Sequence, residues 1–404
     1  MIPKHKWAFR SRFRANAFGW RSDLPIKRIR EAVSEIKKVN RKDGVLAADG
    51  AVLLLEKLSP SLMQVDSSSG AIGTAVNNAI ATLVPIISRA QADDARRDQW
   101  MERLWQAVEE DRMPYIELVS GYWGELCVTP QRASEWADRF IPTVRSVWSD
   151  KDSFAYFKGA DSCLSCLLHA GRYQALLDLV EIAPQMWHYR QWGVKALVAM
   201  GKRAEALRYA EASQGINTNP SAIAAVCESI LIESGMADEA YRRYAIQANQ
   251  HNTYLASFRA IAKKYPHREA RDILTDLVNN TPGEEGKWFA TAKSIGLLDD
   301  AIALANRSPC NPQTLVRAAR DMQESNPAFA MKAGVTALRW MLGGYGYDLT
   351  GADVTDAFRY MVNAAEKIDQ QDDAIKAIQN LMAVRGSDEW VCKVLQAALF
   401  RSSG

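Results

Sequence analysis

Met200-Gly-Lys-Arg-Ala-Glu-Ala-Leu207, Ser234-Gly-Met-Ala-Asp-Glu-Ala-Tyr241 and Ile295-Gly-Leu-Leu-Asp-Asp-Ala-Ile302 are three versions of one short pattern. Each places an alanine five residues after a glycine: Gly201 with Ala206, Gly235 with Ala240, Gly296 with Ala301. Gly171 with Leu176 stands thirty residues before the first of them. Tyr265 with Ala270 fills the gap between the second and third, and Asn326 with Met331 and Asp369 with Ala374 read as degenerate later copies. Glycine adopts φ > 0 without a Cβ penalty, so it closes a helix and turns the chain. The alanine then lies one turn into the next helix, where a small side chain lets two helices approach closely. A period near thirty residues marks stacked supersecondary units, none of which buries its apolar face alone.

Start signals for helices recur outside these turns. Thr129-Pro130, Asn219-Pro220, Thr281-Pro282, Asn311-Pro312 and Asn326-Pro327 each put a capping side chain before a proline. There the missing N–H costs nothing and the fixed φ suits the first helical turn. Thr281 with Glu284 reads as a capping box, and so does Thr350 with Asp353. Period-2 alternation is scarce, so little or no sheet is expected. Before the glycine turns, residues 25–42, 45–58, 71–91, 95–110, 114–127 and 131–148 read as helices. The polar stretch 149–162 is a break between two regions, and Arg401 to Gly404 reads as a frayed end. The glycine loop Gly343–Asp348, with Tyr345 and Tyr347, is either a recognition surface or a connector.

The glycine at the turn and the alanine five later resemble the centre of a tetratricopeptide-type repeat, over about residues 160–385. The bulky Trp expected early in the first helix of that repeat is not regularly present. The whole chain also resembles an uncharacterised bacterial helical family, a resemblance that implies no activity. The expected fold is all-α: an N-terminal helical module followed by a right-handed α-solenoid of tetratricopeptide-like helix pairs. The expected division is a basic aromatic arm with the first helix (1–43), a helical module (44–150) and the solenoid (151–404).

Charge is distributed unevenly. Residues 1–42 carry 13 Lys or Arg against 3 Asp or Glu, a net +10, and the other 362 residues carry −7. In the arm, Trp7, Phe9, Phe13, Phe18 and Trp20 interleave with Arg10, Arg12, Arg14 and Arg21. Lys27, Arg28, Arg30, Lys37, Lys38, Arg41 and Lys42 extend the charge along the first helix. Two readings stand. Guanidinium groups and stacking rings suit a polyanion such as nucleic acid. Alternatively the rings cap the core of the first helices, with the arginines solvated or paired to the acidic body. The Arg-rich, acid-free stretch before Asp23 also has the look of a mitochondrial presequence, ranked below a folded arm.

The six cysteines are dispersed through helical sequence, which suits a reducing compartment and a cytoplasmic location. No uninterrupted apolar run approaches a membrane span, so no membrane partner is expected. Cys163, Cys166 and His169 have zinc-like spacing, but Cys163 and Cys166 fall on small or apolar positions of the repeat, so buried thiols are expected rather than a metal site. Gly283-Glu-Glu-Gly286-Lys287-Trp288 fails as a phosphate loop because Trp288 replaces the hydroxyl needed for Mg²⁺. Gly70, after three serines, reads as a helix-cap loop. No nucleophile-elbow or zinc-protease motif occurs, and Arg243 to His251 and Arg259 to His267 are spaced too widely for a helical ribonuclease. Acidic neighbours such as Asp299 with Asp300 point about 100° apart on a helix and do not share a metal.

The leading expectation is therefore a non-enzymatic scaffold or adaptor for a protein partner, with no cofactor. Its contact residues would be Trp187, Arg190, Arg243, Arg259 and Lys263, on the first helices of the repeats and the aromatic patch at residues 187–192. The alternative is nucleic-acid binding through residues 1–42, by Arg10, Arg12, Arg14, Arg21, Lys27, Arg28 and Arg30. The third is an enzyme whose hydrolase or nuclease site only folding would assemble.

Overall fold

A computed structural model describes residues 5–149, 156–215, 218–384 and 387–402, with the backbone alone at 401 and 402. The centre of the expected break, residues 150–155, lies outside these, as does the end of the tail at Ser403 and Gly404. Among the described residues the fold is all-α, with no strand. The chain divides into two compact units, Met1–Asn219 and Pro220–Gly404. The helix pairs expected from residue 151 onward thus fall partly in each.

The first unit begins with an irregular arm and continues as α1 (Asp23–Asn40), α2 (Gly44–Leu62), α3 (Ala71–Arg89) and α4 (Asp94–Glu110). Next come α5 (Leu118–Gly121), α6 (Trp123–Cys127) and α7 (Pro130–Ser149). It ends with α8 (Ala160–His169), α9 (Tyr173–Glu181), α10 (Trp187–Ala199) and α11 (Arg203–Ala212). The stretch 114–127, expected as one helix, is two short ones. Tyr122 separates them, and Gly124 lies so close to α8 that a Cβ there would be 2.3 Å from the Ser165 carbonyl oxygen. Ser165 ties the break down: its hydroxyl receives the Gly124 N–H at 3.0 Å and donates to the Gly121 carbonyl at 2.9 Å.

The second unit runs α12 (Pro220–Glu233), α13 (Ala237–Ala248), α14 (Tyr254–Lys264) and α15 (Ala270–Asn279), then a 3-10 turn at Glu285–Trp288. It continues as α16 (Phe289–Ser294), α17 (Leu298–Arg307), α18 (Pro312–Met322) and α19 (Pro327–Leu342). It closes with α20 (Gly351–Glu366), α21 (Gln371–Met382) and α22 (Glu389–Ser402). Helices adjacent in sequence pack side by side, α12 on α13, α18 on α19 and α19 on α20, the packing order of an α-solenoid. Asn311, Asn326 and Thr350 cap their helices, Thr350 with Asp353 as a capping box. The box expected at Thr281 does not form. Its hydroxyl accepts the Trp288 indole N–H at 2.8 Å, while Glu284 takes the Tyr254 hydroxyl at 2.6 Å.

The glycine turns share one backbone geometry. Gly171, Gly201, Gly235 and Gly296 have φ between +72° and +81°. After each, the next N–H bonds back to a carbonyl five residues earlier: Arg172 to Leu167, Lys202 to Leu197, Met236 to Leu231 and Leu297 to Ala292. This is the left-handed cap that satisfies a helix's last carbonyls. Asp369 does the same without a glycine, at φ +55°, with Gln370 bonding to Ala365. In all five the following helix starts two residues on, and Leu176, Ala206, Ala240, Ala301 and Ala374 are buried. Tyr265 and Asn326 depart from the pattern. Tyr265 has φ −122°, and its next helix starts five residues later. Its fully buried ring places the hydroxyl 2.9 Å from Glu228. Asn326 is an N-cap at φ −154°, not a turn.

Candidate functional site

Of the arm's rings, Trp7, Phe9, Phe13 and Phe18 are buried, and only Trp20 stands out, 72% exposed. The four form a file, Trp7 to Phe9 at 5.4 Å, Phe9 to Phe13 at 6.3 Å and Phe13 to Phe18 at 5.5 Å. Gly50 on α2 makes room for it: a Cβ there would be 2.3 Å from the Trp7 ring. Glu35 on α1 accepts the Ala8 and Phe9 N–H groups, and Asn16 donates to the Pro60 carbonyl. The packing reading of these rings holds, and base stacking by those four is ruled out by burial.

The arm's cations divide accordingly. Arg12 and Arg28 both pair with Glu31, at 2.9 and 2.7 Å, and the Arg28 bond holds the Glu31 carboxyl below its usual pKa. Arg14 donates to the Ser11 carbonyl, while Arg10, Arg21 and Lys27 are exposed. Arg30 belongs elsewhere. With Lys37, Lys38 and Arg41 it lines a groove of about 620 Å³ between α1 and α3.

Helical spacing explains this groove. Residues 26, 30, 33, 37 and 41 follow one stripe of α1, at steps of three and four. Pro25, Ile29, Ala32 and Ile36 form the core stripe, and Arg28, Glu31 and Glu35 face the arm. The acids of α1 within the stripe's length are thus spent on the arm, and none lines the groove. The opposite wall is α3, whose residues Ala71 to Ser88 carry no charge. It offers Thr74, Ala75, Asn78, Ala79 and Thr82. Ile26, Ile29 and Val33 make the groove apolar beneath its cations. Among the described residues none of the four cations has an acidic partner within 4.0 Å. By length and a mean hydropathy of 1.5, α3 could cross a membrane, yet Ile72, Val76, Ile80, Leu83, Val84 and Ile87 are buried inside the unit.

Of the five residues expected to contact a protein, Trp187 and Arg190 fall in the first unit and Arg243, Arg259 and Lys263 in the second. Arg190 is a correction: its side chain is 9% exposed, and its guanidinium donates to the Tyr209 hydroxyl at 2.9 Å. Tyr209 packs on Gly193, where a Cβ would be 2.8 Å from its ring, so Arg190 fastens α10 to α11. Trp187 is half-buried in the first unit. In the second, Arg243 pairs with Glu239 and lines a groove between α13 and α15, while Arg259 and Lys263 are exposed on α14. Cys163 and Cys166 are buried, and burial pushes the Cys163 thiol up to about 12. His169 is directed instead to the Val128 carbonyl oxygen, 3.4 Å away. Tyr347 of the glycine loop stands in solvent, 86% exposed.

A second concavity in the first unit was invisible in the sequence. About 440 Å³ in volume, it is lined by α10, by the segment from Pro114 to Tyr122 and by Asn77 of α3. On α10, His188, Gln191, Trp192 and Lys195 share one face at steps of three and four. Asp161 of α8 holds two of them. Its carboxylate accepts His188 Nε2 at 2.6 Å and the Trp192 indole N–H at 3.0 Å. The bond to Asp161 raises the His188 pKa. Lys195 lies over the Trp192 ring at 4.0 Å, and burial lowers its pKa. Across the cleft Glu117 takes the Tyr156 hydroxyl. The legible signal was the α10 spacing; Asp161, twenty-seven residues before His188, had none.

No protein-family model matches the chain, and no curated protein matches it.

Proposed function

We propose that the chain is a non-enzymatic helical docking protein and that the α1–α3 groove holds an acidic, amphipathic helix from a protein partner. One observation carries this reading: Arg30, Lys37, Lys38 and Arg41 line an apolar groove without acidic partners. Phosphates alone would need the cations but not the apolar floor, whereas an amphipathic helix uses both. The buried rings of the arm also favour protein over nucleic acid. Stacked tetratricopeptide-like hairpins would be the frame, supported by the shared turn geometry. A cytoplasmic location suits the six free cysteines, of which Cys127 and Cys166 share a hydrogen bond rather than a disulfide, with sulfurs 4.0 Å apart.

The test is fluorescence anisotropy on the full chain with a labelled helical peptide of about twenty residues, leucine on one face and glutamate on the other. Binding should weaken with salt and be lost in the triple change Arg30→Glu, Lys37→Glu, Arg41→Glu. A single-stranded oligonucleotide that binds in the peptide's place would transfer the groove to the nucleic-acid reading. Binding of neither would leave the groove without a role.

A further inference from the structure

The cleft between α10 and the segment Pro114–Tyr122 holds two opposite charges that are not paired with each other. Both Asp161 oxygens are occupied, one by His188 Nε2 and the other by the Trp192 indole N–H. That leaves the Lys195 ammonium on one element and the Glu117 carboxylate on another. Among the described residues neither has an oppositely charged partner within 4.0 Å, and they do not pair with each other. The Lys195 ammonium lies over the Trp192 ring at 4.0 Å, on a side chain that stays open to solvent. A cation without an acidic partner is open to pairing with an anion, and such charge-assisted hydrogen bonds are stronger than neutral ones. Glu117 has one oxygen taken by Tyr156, leaving the other for a donor. Asn77 and Gln191 add neutral hydrogen-bonding groups to the lining.

We propose that this cleft binds a small zwitterion, of amino-acid to dipeptide size, with its carboxylate at Lys195 and its ammonium at Glu117. The volume of about 440 Å³ lies within the usual range for small-ligand sites. Asp161 is the positioning residue: it holds α10 by His188 and Trp192, and so fixes where Lys195 sits. The ligand bridges two walls that the fold leaves unbridged. The cleft shares no lining residue with the α1–α3 groove.

Isothermal titration calorimetry on the full chain tests it, with the free L-amino acids and glycyl dipeptides as probes. Each is compared with its N-acetyl form, which lacks the cation, and its amide, which lacks the anion. At least one free zwitterion should bind, and blocking either end should weaken it about tenfold or more. Glu117→Gln should selectively remove the penalty for N-acetylation, and Lys195→Gln the penalty for amidation. Both side chains are exposed, so the variants should fold, which circular dichroism checks. Asp372→Asn on the exposed surface of α21 should leave affinity unchanged. The proposal is overturned by the absence of heat from every free zwitterion at concentrations on the order of 10 mM. It is equally overturned if blocked forms bind as well as free ones, or if binding survives both glutamine changes intact.

Discussion

Helices α4 to α7 and the hairpins that follow them are joined by opposite means. Between residues 100 and 149, large rings fill the space. Trp105 meets Phe140 at 4.7 Å, and Trp123 meets Trp136 at 5.4 Å and Trp105 at 5.8 Å. At the glycine turns of the hairpins the backbone and small side chains do the joining, although rings such as Tyr241 and Tyr265 also meet there. A left-handed cap turns the chain in two residues, and Ala206, Ala240 or Ala301 lets the next helix close in. Bulky packing tolerates irregular elements such as α5 and α6, because the rings adapt to the gap. Small-residue packing requires the same turn each time, and that requirement leaves a period in the sequence.

The largest expected effect separates the two means. Trp123 is fully buried amid Trp105, Trp136 and Phe140. Trp123→Ala should cost roughly 3–5 kcal/mol, by the loss of apolar contact and the cavity left behind. Its indole N–H has no partner among the described residues. Trp123→Phe, which keeps a ring and removes that orphan donor, should therefore cost less than half as much. Urea denaturation followed by far-ultraviolet circular dichroism reads both. Equal losses would mean that ring packing is not what holds this region.

The turns test the other half of the contrast with three changes of decreasing size. Tyr265 occupies a turn position by spacing alone, so replacing it with glycine should harm rather than repair. Tyr265→Gly should cost about 3 kcal/mol or more, since it deletes a buried ring and leaves the buried Glu228 without one of its donors. At Gly235 a Cβ would meet nothing within 4 Å, so the cost of a side chain there is conformational alone. Gly235→Val should cost about 1–2 kcal/mol. Asp369 pays that kind of penalty already, and Asp369→Gly should stabilise by about 0.5 kcal/mol. Thermal melts of the three variants give the signs. A stable Gly235→Val protein would remove the role assigned to positive φ.

These residues show how far the sequence could be read. Gly171, Gly201, Gly235 and Gly296 were legible because glycine is the cheapest residue at positive φ. Asp369 was legible only by its spacing, and the same spacing misplaced Tyr265 and Asn326. A period locates a turn but does not say which residue performs it. The basic stripe of α1 was visible as charge. The groove was not, because its second wall is the uncharged face of α3, some forty residues away. Arg190 showed the converse: an arginine among aromatics suggested a contact surface, but the hydroxyl of Tyr209, nineteen residues on, draws it inside. The cleft was hidden because Glu117, Asp161 and Lys195 come from three separate elements.

The smallest effect sharpens the contrast by locating an electrostatic tie within the hairpin region. His188 on α10 bonds to Asp161 on α8, and this bond raises its folded pKa above the unfolded value. The protonated form is therefore the one that folding favours. The pair's stabilisation is fully present below the unfolded pKa of about 6.5 and is lost as pH rises through the folded value. Glu117 reinforces the trend and Lys195 opposes it. The imidazole is half exposed, so solvent screening limits the contribution to about 0.3 kcal/mol. His188→Gln should then lower the melting temperature more at about pH 5.5 than at about pH 8.5, because only the histidine changes its charge between them. Raising the salt concentration should narrow the low-pH difference, since an exposed pair is screened. A loss of the same size at both pH values would make the Asp161 contact an ordinary hydrogen bond, and α10 would then be held to α8 by packing and the Trp192 indole alone.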